Sequence, residues 1–266
     1  MILFVFEGAK AEPKIYETIK SLYFAHGNEE VIYIFNSNIY ALYDRICREY
    51  ADFEDIEGAT DIISLLRDLY PDSDLAKLET TSDIDQIFLF FDYDFQHVFH
   101  ILKRQPNRNI KEVIEEDNQK IQAMLRFFDE ETNMGKLYIN YPMVESLKFT
   151  KKMPDKDFFT YRVTLSDCHG KFKKIADQFT DYHGYYGLLI DKKLDIKVLR
   201  KNWEYLKEQN VTKANFLCND IIAPPINKEA IGQSKIFEAQ IEKYNKDGTI
   251  GILNSFPLFI YEYFKS

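Results

Sequence analysis

The chain has 266 residues, 45% of them hydrophobic with 22 Phe and 18 Tyr, and a net charge of −9, so it can bury a sizeable core in one domain or two. Cysteines at 47, 168 and 218 make no CxxC pair and no even-numbered framework, which excludes a disulfide scaffold and fits a reducing compartment. No stretch approaches the roughly 18 uninterrupted apolar residues of a membrane span, so a soluble, cytoplasmic protein without membrane contact is expected.

In chain order, Ile2–Phe6 (ILFVF) is short, branched and aromatic and is bounded by Gly8, which predicts a buried strand. Pro13 suits a first helical turn, and Ile15, Ile19, Leu22 and Tyr23 follow at helical spacing to about Phe24. Val31–Phe35 reads as a second strand, ended by Asn36-Ser37-Asn38; helices are expected over Tyr40–Tyr50 and Ile62–Leu69. Gln86–Phe91 (QIFLFF) is the third and most apolar strand and runs straight into Asp92-Tyr93-Asp94. A polar turn at Gln105–Asn109 precedes a long amphipathic helix from Ile110 to about Phe128, and Lys136–Ile139 is the fourth strand. Nearly all-apolar strands alternating with helices predict an α/β fold with a parallel sheet flanked by helices.

After Pro142 helical periods dominate, over Lys171–Phe179, Ile196–Glu208, Lys235–Tyr244 and Phe256–Phe264. The expected division is residues 1–150, carrying the sheet, and residues 151–266, a helical C-terminal subdomain. Charge changes sign at the same place, being −13 over residues 1–150 and +4 over residues 151–266. Asp44–Asp85 alone holds 13 acids against 4 bases, which reads as a solvated helical face or as a docking surface for a basic partner.

The strand ends carry the chemistry. In a parallel sheet, ligands bind outside the carboxyl ends of the strands. Glu7 ends the first strand and Asp92 and Asp94 end the third, so these acids converge if the two strands are neighbours. Carboxylates sharing one site repel unless a cation lies between them, and Mg²⁺ takes one or two carboxylates plus waters and substrate phosphates. Tyr93 is expected to face away from the acids into packing. His97 and His100 lie just past the Asp pair, where packing roles are expected, and Asp167-Cys168-His169 resembles a nucleophile cluster only in composition, because adjacent side chains diverge.

The segments FVFEGAKAEP, IFLFFDYD and INYPMVESL together resemble the Toprim domain in its OLD-like and RloB/AbiLii-like branch, over about residues 1–150. That pattern is a strand followed by EGxxxEP, a later strand ending in DxD, and a strand running into an NP-x-x-E-like turn. It stands here as Glu7-Gly8 with Glu12-Pro13, Asp92 with Asp94, and Asn140-Tyr141-Pro142 with Glu145, with Tyr141 separating Asn from Pro. The resemblance implies a catalytic Glu7, Mg²⁺ (or Mn²⁺) held by Asp92 and Asp94 with Glu7, and supporting acids at Glu12 and Glu145. It also implies phosphodiester cleavage of RNA or DNA, tRNA among the candidates, by the effector of a bacterial anti-phage abortive-infection system.

In the RloB-like, AbiLii-like and PARIS AriB-like arrangement such an effector occurs beside a separate ABC-type ATPase, which suits a sequence with no G-x4-G-K-[ST]. Lys103-Arg104 and Lys148 with Lys151 directly follow the acidic motifs and are the expected contacts to a nucleic acid backbone; Lys171 with Lys173 and Lys174 forms another basic group. A homodimer is the expected active state, since it would double these scattered bases. The alternative is a catalytically silent Toprim-like module that docks on the ATPase through the acidic stretch. A topoisomerase or primase reading is disfavoured, because no DNA-linking tyrosine domain or zinc site is visible.

Overall fold

A computed structural model describes residues 1–24, 30–49, 84–179, 188–189 and 194–264 of the chain. Strand β1 (Ile2–Phe6) leads into helix α1 (Ala11–Tyr23), β2 (Glu30–Ile34) into α2 (Ile39–Glu49), and β3 (Gln86–Asp92) into α3 (Gln96–Arg104) and α4 (Ile110–Phe127). A two-residue strand β4 (Asp129–Glu130) and β5 (Gly135–Asn140) follow. Beyond them come a 3-10 helix at Val144–Lys148, β6 (Arg162–Thr164), α5 (Leu165–Cys168), α6 (Phe172–Phe179), α7 (Ile196–Asn219), α8 (Gln233–Lys243), β7 (Thr249–Gly251) and α9 (Ser255–Tyr263).

The main sheet has the order β2-β1-β3-β5-β4, parallel except for β4. The chain moves from β1 outward to β2, then crosses back to place β3 on the other side of β1. Strand order therefore reverses between β1 and β3, and the crevice outside their carboxyl ends is the place where such sheets bind ligands. Phe6 pairs with Phe90, which brings Glu7 level with the end of β3.

Alternation along the strands divides the core into two layers. Phe4, Phe6, Phe88, Phe90 and Tyr138 face α1, α7 and α9, where they meet Ile15, Tyr16, Trp203, Phe256 and Phe259. Leu3, Val5, Leu89, Phe91, Leu137 and Ile139 face the other way, toward Leu42 of α2 and Val113 and Met124 of α4. Rings in register across the strands stack on one another, with centroids 5.5 Å apart for Phe4–Phe88 and 5.2 Å for Phe90–Tyr138. Each fully buried Phe of this kind contributes about 1.5–3 kcal/mol of transfer free energy.

The C-terminal residues join both layers. Trp203 and Phe259 belong to one, and Val211, Ile236 and Leu253 to the other. The backbones of Tyr141 and Leu253 exchange hydrogen bonds of 2.8 and 3.1 Å, tying the segment after β5 to the approach to α9.

The structure departs from the sequence expectations at identifiable places. Helix α7 runs to Asn219 rather than ending near Glu208, because polar residues occupy buried positions and break the apolar period. Gln209 donates to Thr150 Oγ1 at 2.8 Å, Asn210 donates to Leu206 O at 2.8 Å, and Lys213 Nζ reaches the carbonyls of Phe158 and Tyr161. Helix α3, the antiparallel edge strand β4 and the small β6–β7 ribbon are additions to the predicted set. The predicted helix Ile62–Leu69 and residues 50–83 of the acidic stretch lie outside the described residues. No helix among the described residues is long and apolar enough to cross a membrane.

Candidate carboxylate site at the strand ends

Glu7 is the first residue past β1, and its N–H continues the ladder by donating to Phe90 O at 3.1 Å. Its side chain reaches across to the end of β3. There Glu7 Oε2 accepts a hydrogen bond from the backbone N–H of Asp92 at 2.9 Å. Asp94, two residues beyond Asp92, accepts from the Gln96 N–H at 2.8 Å and so starts α3.

Glu12 occupies the first turn of α1 and is buried, at 4% exposure. It can lie there because residue 8 is glycine: a Cβ at Gly8 would stand 3.1 and 3.2 Å from the two Glu12 carboxylate oxygens. Glu145 sits in the 3-10 helix after β5, also buried. One of its oxygens, Oε1, lies 3.0 Å from Lys173 Nζ, while the buried Oε2 has no hydrogen-bond partner.

Asn140, at the end of β5, completes the frame. Its Nδ2 donates to Asp92 Oδ1 at 3.0 Å, and its Oδ1 accepts from the N–H and the hydroxyl of Ser255 at 3.0 and 2.7 Å. Tyr93 faces away into the core, where its hydroxyl donates to Asn118 Oδ1 at 2.5 Å and accepts from Asn245 Nδ2 at 2.9 Å.

The acids act on one another electrostatically. Burial raises the Glu7 pKa to about 8, against the opposing Asp92 N–H, with Asp94 and Glu12 adding to the rise. Burial and the charges of Glu7, Glu12 and Glu145 push Asp92 well above the usual carboxylate range. Asp94 is raised by burial, opposed by the Gln96 N–H, His97, His100 and Lys173, and Glu12 is raised by burial and by Glu145.

Among the described residues, no three His, Cys, Asp or Glu side chains are arranged as a ready-made metal centre. The cluster is near enough for its members to shift one another, yet not closed around a single point, as repelling carboxylates without a shared cation are expected to be. Its donor set nevertheless suits a hard divalent ion: all oxygen, in excess of the nearby positive charge, with Glu145 Oε2 buried and unpartnered.

The expected substrate-contacting bases divide. Lys103 and Arg104 are exposed in the last turn of α3, with Lys103 about 10 Å along the helix axis from its start beside Asp94. Lys151 is exposed, with Nζ 5.7 and 5.5 Å from the ring centroids of Tyr161 and Phe179. Lys148 departs from the expected exposed placement: its side chain is 10% exposed and its Nζ lies 2.6 Å from Asp177 Oδ1 on α6, which packs against the 3-10 helix.

His97 takes a packing role, its Nδ1 2.8 Å from Asp117 Oδ2 and its ring stacked on Tyr40 at 4.2 Å. Asp167 is engaged in a capping box with Thr164, Cys168 is buried with its thiol pKa raised by burial, and His169 stacks on Phe99. Those three form no nucleophilic cluster. In the sequence Lys173 stands out only as one of a basic group that could serve a nucleic acid, not as a partner of the acids, and the pairing of Ser255 with Asn140 has no local pattern.

Compared with known proteins, the chain matches no family model, no curated protein and no solved structure.

Proposed function

We propose that this chain is a Mg²⁺- or Mn²⁺-dependent nuclease of Toprim-like kind that hydrolyses phosphodiester bonds in RNA or DNA. The observation that carries the reading is the meeting of Glu7 and Asp92 at the reversal of strand order, with Glu12, Asp94 and Glu145 close enough to shift their charges. Asp92 and Asp94 would hold the cation with Glu7, and Glu12 and Glu145 would support them. A cation bound there would supply Lewis-acid polarisation of a phosphate oxygen.

Glu7 is the proton-handling group. From its place beside Asp92 it would take a proton from an attacking water or give one to the leaving oxygen. The Asp92 N–H fixes one of its oxygens, and the buried Asn140 amide orients Asp92 in turn. Lys103, Arg104 and Lys151 would hold the nucleic acid backbone on either side.

The motif resemblance supports the wider reading: a cytoplasmic anti-phage effector restrained by a separate ABC-type ATPase, with tRNA a candidate substrate. A homodimer is proposed as its active form, and the exposed Ile221, Ile222 and Ile226 offer apolar surface for association. The decisive experiment incubates the purified chain with tRNA, single-stranded RNA and duplex DNA, with Mn²⁺ or with a chelator. Mn²⁺-dependent cleavage that Glu7→Gln abolishes is the expected result; cleavage indifferent to the chelator, or to the substitution, rejects the reading.

A further inference from the structure

The carboxylate cluster already contains a cation belonging to the chain. Lys173 lies in the first turn of α6, and its ammonium pairs with Glu145 Oε1 at 3.0 Å. It also acts electrostatically on Glu7, Glu12, Asp92 and Asp94, so one lysine serves all five acids. The two partners are unequally placed. The Glu145 side chain is 8% exposed and the Lys173 side chain 68% exposed, so the lysine reaches in from the solvent side and can withdraw without uncovering the core. Ion pairs with one well-solvated member are weakly held. The second oxygen of Glu145 stays unpartnered even with the lysine in place, which leaves the acid half satisfied.

We propose that Lys173 is a tethered counter-ion that a divalent cation displaces from Glu145, and that the released ammonium then receives the substrate phosphate. Cation loading and anion binding are coupled through this one side chain. The inference rests on the reading of the cluster as a cation site. A divalent ion has the stronger claim on the shared oxygens, and an exposed lysine freed beside it is a mobile positive charge for an incoming phosphate. Such coupling is reciprocal: phosphate that captures the ammonium favours the cation as much as the cation favours phosphate.

The test measures Mn²⁺ binding by calorimetry, and inorganic phosphate binding to the Mg²⁺-loaded chain, for the parent, Lys173→Met, Lys173→Arg and Lys156→Met. Lys156 is an exposed lysine outside the cluster, and its substitution makes the same change in net charge. Lys173→Met is expected to bind Mn²⁺ roughly five- to tenfold more tightly and phosphate severalfold more weakly, a pair of opposite shifts that a merely structural residue would not produce. Lys173→Arg and Lys156→Met should stay close to the parent in both. Unchanged Mn²⁺ affinity in Lys173→Met, or the same shift in Lys156→Met, overturns the displacement while leaving the cation site standing. Absence of Mn²⁺ binding by the parent and every variant overturns the cation site and this inference with it.

Discussion

The side-chain oxygen of Asn140 accepts hydrogen bonds from both the N–H and the hydroxyl of Ser255, a residue 115 positions further along the chain. The other end of the same amide donates to Asp92. One buried asparagine thus joins the end of β5, the start of α9 and the acid at the end of β3, and the placement of Asp92 depends on the docking of the C-terminal helix.

Replacing Asn140 with Ala should therefore be costly. It removes the acceptor of the buried Ser255 N–H and the amide donor to the Asp92 carboxyl, a loss of about 2–4 kcal/mol. Ser255→Ala, which keeps the backbone N–H bond, should cost about 1 kcal/mol. Urea denaturation of the two variants and the parent checks the order; equal stabilities would mean that the amide does not carry this junction.

Gly8→Ala isolates the Glu12 carboxylate. The added methyl would stand 3.1 Å from Glu12 Oε2, so the carboxylate must move by a few tenths of an ångström while the helix behind it stays put. Weaker Mn²⁺ binding with little change in thermal midpoint is the expected pattern. Parent-like Mn²⁺ affinity would remove Glu12 from the cation site.

Glu7→Gln separates chemistry from folding. Glutamine keeps an acceptor oxygen for the Asp92 N–H but cannot exchange the proton, so cleavage should fall by about 10²–10⁴-fold. The metal-free variant should be at least as stable as the parent near pH 8, because its uncharged amide avoids placing a carboxylate among the other acids. A large drop in its thermal midpoint would instead mark Glu7 as a structural residue.

The pH dependence of stability follows from the same group. Its folded pKa, about 8, exceeds its ordinary value of 4.5, so between those values the folded chain holds a proton that the unfolded chain has released. This contribution to stability is greatest below about pH 4.5, declines as pH rises through 8 and then levels off. Asp92, Asp94 and Glu12 shift in the same direction and steepen the decline. Thermal midpoints of the chelated protein between pH 5 and 8.5 should fall, with a shallower slope in Glu7→Gln and recovery on adding Mn²⁺ at the high end. A midpoint that rises over this range would contradict the raised values.

Lys103→Gln and Arg104→Gln should weaken nucleic acid binding without touching Mn²⁺ affinity. Each phosphate contact removed should lower the slope of log affinity against log salt by about 1. Anisotropy titrations at several salt concentrations provide the measurement, and an unchanged slope would place the substrate elsewhere.

The strands and most helices were legible in the sequence because their patterns are local. Ile2–Phe6 and Gln86–Asp92 are unbroken apolar runs ended by acids, and Ile110–Phe127 repeats its apolar residues at helical spacing. Carboxylates after two parallel strands were enough to name Glu7, Asp92 and Asp94. Sequence alone did not place β1 beside β3, because strand order arises from crossovers whose direction depends on which faces the helices cover. Past the expected end of α7 near Glu208, Gln209, Asn210 and Lys213 look like surface residues until their buried partners, Thr150, Asn254 and the carbonyls near Phe158, are seen. Lys148 and Lys173 stand in similar basic runs, yet packing of α6 on the 3-10 helix buries the first against Asp177 and sets the second on Glu145. A charge pattern along the chain identifies the residue types that can form a site. Which charges meet is decided by tertiary contacts, since an ion pair or a shared carboxylate cluster depends on distances that no local spacing encodes.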